Sequence, residues 1–202
     1  MSKIEIHDLC QLINQNYPLE YIKKILDDVL TLSMIVKNDY PDYRKWFLDT
    51  QVPGLYDNTR NIIIAHINGH IIGFVSLKKT KDEKKICTFY VEKSYRRNKI
   101  GTLLVEKAIE YLEETKPLIT IPMDKLNEFV KIGNRFNWEI TDIKENLYRT
   151  NNPEVIVNGS LIEKNGIILP SKSISKVYKI YKIEKYKQIL TKLALFPQKL
   201  WK

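Results

Sequence analysis

The chain has 202 residues, 44% of them hydrophobic and 28% charged, enough apolar material for a buried core. No apolar run approaches the roughly 18 residues of a membrane span, no signal-like segment opens the chain, and two cysteines are too few for a disulfide framework, so a cytoplasmic protein is expected. The formal net charge of +9 sits at one end: residues 161–202 hold ten lysines and two glutamates, and the rest is nearly balanced.

Asp8 before Leu9, Leu12 and Ile13 predicts a short capped helix. A second helix is expected from Pro18, in its first turn, through Tyr21, Ile22, Ile25, Leu26 and Leu30. A third opens after Pro41 with Tyr43, Trp46 and Phe47, and Val52-Pro53-Gly54 reads as a turn. The first sixty residues therefore read as helical and irregular. Strands follow: 61–67 and 70–77 flank Asn68-Gly69, a two-residue hairpin signal. After a charged connection, 86–91 is an apolar strand in which Cys87 is expected as a buried, reduced thiol.

Ile100, Leu103, Leu104, Ala108 and Leu112 then recur at helical spacing. Residues 118–121 read as a strand, followed by a helix capped by Asp124 and carrying Leu126, Phe129 and Val130. Strands are expected at 138–147 and 155–157, with a second turn at Asn158-Gly159. The order gives a mixed, mostly antiparallel α/β sheet flanked by helices, with a crossover unit in the middle. Residues 1–160 form the expected domain, and 161–202 a basic C-terminal extension. Within that extension a strand is expected at 173–181, then an amphipathic helix carrying Ile183, Tyr186, Leu190 and Leu193.

The most informative stretch is Tyr95-Arg96-Arg97-Asn98-Lys99-Ile100-Gly101-Thr102-Leu103-Leu104, between a strand and an amphipathic helix. A helix N-terminus offers unpaired N–H groups and partial positive charge, and both suit an anion such as a diphosphate. Arg96, Arg97 and Lys99 would add positive charge, and Gly101 would permit close approach.

This run resembles the acetyl-CoA pyrophosphate loop of the GNAT (GCN5-related) N-acetyltransferases, Arg/Gln-x-x-Gly-x-Gly/Ala. Arg96 and Gly101 match, and Lys99 stands where the first glycine usually is. The likeness spans roughly 62–138, including Gly73 in the hairpin, and does not cover the tail. It implies acetyl-CoA as co-substrate, held by Arg96, Arg97, Asn98, Lys99, Ile100, Gly101 and Thr102. It further implies pantetheine pairing with the backbone of Phe89, Tyr90 and Val91, and a pantetheine contact from Asn127. The implied activity is direct attack of an amine on the thioester, without a covalent enzyme intermediate.

Such transfer needs a base for the amine and an acid for the leaving thiolate. Candidate bases are Glu92, just past the 86–91 strand, Asp82 and Glu83 in the loop before it, and Asp124 after the next strand. Each also reads as a solvated surface carboxylate or, for Asp124 in particular, a helix cap. The tyrosine that many family members place on the following helix falls here on Gly133 or Asn134, neither of which can donate as a phenol does. Water, Tyr90 or Tyr148 could replace it, or the chain binds coenzyme A with poor turnover or none. His7, His66 and His70 are isolated in sequence, His66 and His70 reading as partly exposed strand residues, and no spacing suggests a metal. The lysines and tyrosines of 172–192 suit a polyanion partner such as RNA, DNA or an anionic membrane surface, or a packed helix with solvated lysines. The acceptor amine and the oligomeric state are left open by the sequence.

Overall fold

The computed structural model describes residues 3–161, so the strand and helix expected in the basic extension lie outside the described residues. The chain divides into two compact units, the first reaching Glu114 and the second beginning at Thr115.

The first unit opens with a strand the sequence reading missed, β1 (Glu5–Asp8). Four residues are too few to show a period, and Asp8 has two tasks. It ends β1 and caps α1 (Leu9–Asn14) by accepting from the Gln11 N–H at 3.0 Å. α2 (Leu19–Ser33) follows, with Pro18 as its N-cap, one residue earlier than the predicted place inside the first turn. α3 (Tyr43–Trp46) runs into a π-helical turn, Phe47–Gln51. The stretch expected as a turn is instead α4 (Pro53–Tyr56), which Pro53 starts from the N-terminal helical position.

β2 (Arg60–Ile67) and β3 (His70–Lys79) form the expected hairpin, joined by Asn68 and Gly69 at φ 51° and 80°. Positive φ at both positions is the demand of a type I′ turn. β4 (Lys84–Val91) adds to β3, and β1 pairs with β2, so this sheet runs β1-β2-β3-β4, antiparallel throughout. Residues 61–66 and 71–77 are buried without alternation because both faces are covered. Ile62, Ile64, Ile71 and Phe74 pack with Leu9, Ile22, Ile25, Val29, Tyr43, Phe47 and Leu55 from α1–α4. The other face meets α5 (Ile100–Leu112), which buries Leu104, Val105, Ala108 and Leu112.

A polar node fastens the helical region to the sheet. Asn61, fully buried, accepts from the Cys10 N–H at 3.1 Å and donates to Asp8 at 2.8 Å, while Gln51 donates to its carbonyl at 2.9 Å. Each partner would be stranded without the others, which makes the node costly to break.

The second unit contains β5 (Leu118–Pro122), α6 (Leu126–Arg135), β6 (Ile140–Lys144) and β7 (Glu154–Val157). β7 lies between β5 and β6 and is antiparallel to both. The strand expected over 138–147 is shorter at both ends. Trp138 is 1% exposed and stacks on Phe136, anchoring the chain before β6 begins. Asp124 is not a helix cap: a 3-10 turn, Met123–Lys125, precedes α6, whose N-cap is Lys125. The Asp124 carboxylate instead accepts from Asn152 at 3.1 Å. The fold class is the expected mixed α/β arrangement with antiparallel strand pairing.

Candidate functional site

The turn expected to hold an anion is built on the end of β4. The Glu92 N–H donates to Ile72 O at 2.8 Å, extending the β3–β4 ladder by one bond, and a 3-10 turn, Lys93–Tyr95, then lifts the chain away. Arg96 folds back, its Nε–H donating to Val91 O at 3.0 Å, so this side chain braces the turn from within. Buried Ile100 fixes the other end, where α5 begins. Between these anchors Arg96, Arg97, Asn98 and Lys99 are all exposed.

Backbone conformation inside the turn differs from what the residue types suggest. Arg97 and Lys99 adopt left-handed backbone at φ 68° and 63°, while Gly101 keeps a negative φ inside α5. The lysine in the glycine place therefore carries the strained conformation, at a cost of roughly 1–2 kcal/mol for a residue with a Cβ. Lys99 offers no side-chain cap, and the first bond of α5 runs from the Leu103 N–H to Lys99 O at 3.0 Å. The amides of Ile100, Gly101 and Thr102 thus head the helix without an intrahelical carbonyl in front of them. Such main-chain donors, the positive end of the α5 dipole and the Arg97 and Lys99 charges suit an anion.

Gly73 matters for a different reason. A Cβ there would lie 2.9 Å from Tyr90 O, 3.2 Å from Leu104 Cδ1 and 3.4 Å from Val91 Cγ2. Its absence lets α5 sit close against β3 and β4, which sets where the helix N-terminus emerges.

Tyr90 and Thr88 project toward the α1–α4 side. Tyr90 packs against Phe74 with ring centroids 5.8 Å apart, and Thr88 meets the Tyr43 hydroxyl at 3.2 Å. Burial pushes the Tyr43 phenol above its ordinary value, so it stays protonated. Phe89 and Tyr90 are half-buried and Val91 is buried.

Glu92 accepts from His70 at 2.8 Å and from the Ser94 hydroxyl at 2.9 Å. The bond from His70, with that from Ser94, holds the carboxyl below the usual carboxylate value. A carboxylate so held is a fixed negative charge and a weaker proton acceptor than an ordinary glutamate. Glu83 is paired with Lys78 at 2.6 Å, and Asp82 is exposed. Cys87 is a free, partly buried thiol that accepts from Arg60 at 3.5 Å, and desolvation raises its pKa, which suits no nucleophile. In the second unit, Asn127 is exposed on the first turn of α6, Gly133 is buried, and Asn134 and Tyr148 are exposed.

Sequence reasoning missed three groupings that strand pairing creates. His70 reaches Glu92, Tyr43 reaches Thr88, and Glu5, His7 and His66 meet on the β1–β2 pair. His66 is 7% exposed rather than partly exposed; burial, with His7 beside it, lowers its pKa. The four-residue alternation Ile4-Glu5-Ile6-His7 is too short to have specified the strand that brings such residues to one face.

No curated protein sequence matches the chain. Among solved structures, a GNAT-family acetyltransferase from Elizabethkingia anophelis with acetyl-CoA bound is 18% identical, with a TM-score of 0.51, covering 76% of this chain and 95% of that one. An aminoglycoside 6′-N-acetyltransferase complexed with coenzyme A is 15% identical, with a TM-score of 0.51 and coverage of 77% and 94%. Nourseothricin acetyltransferase is 14% identical, with a TM-score of 0.45; half of this chain (50%) aligns and spans 65% of that one. The chain likewise spans only 62% of a Bacillus anthracis protein described as a streptothricin acetyltransferase. At these identities the likeness is one of fold. Among the described residues no helix is long and apolar enough to cross a membrane. The model of the acetyltransferase (GNAT) family matches residues 12–122, more than half of the chain and all of the hairpin, β4, turn and α5 described above, so the chain belongs to that acyltransferase family.

Proposed function

We propose that this chain binds acetyl-CoA and transfers its acetyl group to an amine by direct attack in a ternary complex. The observation that carries the proposal is the turn from Tyr95 to Ile100, which presents the α5 N-terminus beside the exposed cationic residues Arg97 and Lys99. The diphosphate would accept from main-chain N–H groups between Arg97 and Leu103. The thioester would lie along Phe89, Tyr90 and Val91, whose backbone donors would polarise its carbonyl.

In that reaction the amine lone pair attacks the carbonyl carbon, the C–S bond breaks, the thiolate gains a proton and the amine loses one. Tyr90 would be the donor to the thiolate, because it stands on the strand that would carry the thioester. Glu92 would act chiefly as a fixed charge that draws a cationic amine, its lowered pKa making it a poor base. A second reading, a coenzyme A-binding protein without turnover, is favoured by Gly133 and Asn134 at the place of the family tyrosine.

Calorimetry with acetyl-CoA tests the donor. Saturable binding that weakens in Gly101→Val is expected, since a β-branched side chain would stand among the helix-capping amides. Complete lack of coenzyme A affinity would sink both readings. Thiol release across a panel of amines then separates them: release supports transfer, and binding without release supports the second.

A further inference from the structure

The chain has three histidines, and folding brings two of them, His7 and His66, ring to ring. The β1–β2 register sets Glu5 directly opposite His66, and His7 lies two residues along β1 on the same face. His7 Nε2 is 3.3 Å from His66 Nε2, and Glu5 Oε2 is 3.8 Å from His66 Nε2. One donor atom from each residue lies within 4.8 Å of the others.

Two imidazole nitrogens at this distance can share a proton or, with both Nε2 atoms deprotonated, share a cation. The spacing fits the cation. With zinc–nitrogen bonds of about 2.0–2.1 Å, the edge of a tetrahedral site is about 3.3–3.4 Å. Glu5 is exposed, so its side chain is free to draw in from 3.8 Å toward His66 and close the remaining edges of the site.

Both rings are also held for the task. His66 is 7% exposed on β2, at a register shift between Ala65 and His66, and such irregularities re-aim a side chain. Its Nδ1 is buried without a hydrogen-bond partner, so Nε2 is the atom through which this ring acts. His7 Nδ1 lies 3.3 Å from the Tyr21 hydroxyl on α2. A proton held on Nδ1 by that contact leaves the Nε2 lone pair pointing at the site, the arrangement in which outer partners orient metal-binding histidines.

We propose that Glu5, His7 and His66 form a binding site for a divalent transition-metal ion of the zinc class, with three protein ligands and a fourth position open to water. The imidazole pair selects against magnesium and calcium, which prefer all-oxygen surroundings. The ion would clasp the short edge strand β1 to β2 and, through Tyr21, to α2. Its role is to hold the N-terminal segment on the sheet, and it holds whether or not the chain turns over acetyl-CoA.

The test uses the full chain after chelator treatment and dialysis, titrated with zinc chloride at neutral pH. One equivalent should bind with a dissociation constant of about 1 µM or tighter, should raise the thermal midpoint, and should be unmatched by magnesium. Cobalt in place of zinc should give the visible absorption of a four-coordinate ion. His66 is buried and its replacement risks misfolding, so the informative variants are the accessible ligands. Glu5→Gln and His7→Gln should keep the wild-type circular dichroism and weaken zinc binding by at least about tenfold, with Tyr21→Phe weaker by a smaller factor. His70→Gln should bind zinc as the parent does. Absence of stoichiometric zinc binding would overturn the proposal and leave a proton-sharing histidine pair. Binding unchanged in His7→Gln, or abolished in His70→Gln, would overturn it too, by placing the ion elsewhere.

Discussion

Arg97 and Lys99, two residues apart, both hold left-handed backbone in a turn that has no glycine between Tyr95 and Ile100. Asn98 between them keeps a negative φ, so the chain alternates in hand as it approaches α5. Two left-handed residues so close together carry a steric cost that glycine would not incur.

That cost can be measured. Lys99→Gly is expected to stabilise the protein by up to about 1 kcal/mol, the relief of strain being partly offset by a freer unfolded chain. Lys99→Val should destabilise it by more than about 1 kcal/mol, because a β-branched residue tolerates φ near +60° worst. Urea denaturation of the two variants checks the order. Coenzyme A affinity should fall about threefold to fivefold in Lys99→Gly through loss of an exposed charge. An unchanged affinity would mean that the lysine serves the turn alone.

Gly73→Ala probes the close packing behind the turn. The added Cβ would meet a backbone oxygen at 2.9 Å and a Leu104 methyl at 3.2 Å. A destabilisation of about 1–3 kcal/mol is expected, together with weaker acetyl-CoA binding, because the helix must back away from β3 and β4. Wild-type stability and affinity would show that α5 moves without consequence.

His70→Gln addresses Glu92. Removing the bond from His70, the first cause of the lowered pKa, should let the carboxyl rise toward its ordinary value. Carbon-detected titration of labelled glutamate reads this directly. Any stability Glu92 contributes through this shift is present above the ordinary carboxylate pKa and lost as pH falls through the lower folded value. The carboxylate is accessible, so the effect on overall stability should be small.

Cys10 offers an alkaline counterpart. Burial, with the charge of Asp8 nearby, pushes its thiol from 9.0 up to about 12. Its folded pKa is raised, so its contribution is complete below about 9.0 and declines as pH climbs toward about 12. Cys10→Ala should show a flatter loss of stability over that window than the parent. Equal slopes in the two proteins would assign the alkaline sensitivity to other groups.

Much of this was legible in the chain. Asn68-Gly69 specifies its hairpin because both positions need positive φ, and apolar periodicity places α2, α5 and the strands on either side of the turn. Local chemistry set those elements, so local reading found them. Errors came where a residue had a second employer. Asp8 both ends a strand and caps a helix, hiding β1, and Asp124 is taken by Asn152 rather than by α6.

The sequence by itself determined the strand–turn–helix that offers an anion main-chain amides and positive charge, since spacing and residue type within ten positions suffice for that. Tertiary structure alone decided the rest. It put the turn's strain on Arg97 and Lys99 rather than on Gly101, because the end of β4 and buried Ile100 dictate where the chain must reverse. It joined His70 to Glu92 across 22 residues and His7 to His66 across 59. Antiparallel pairing sets residues opposite one another by register, and register depends on turns and core faces far from the residues it brings together.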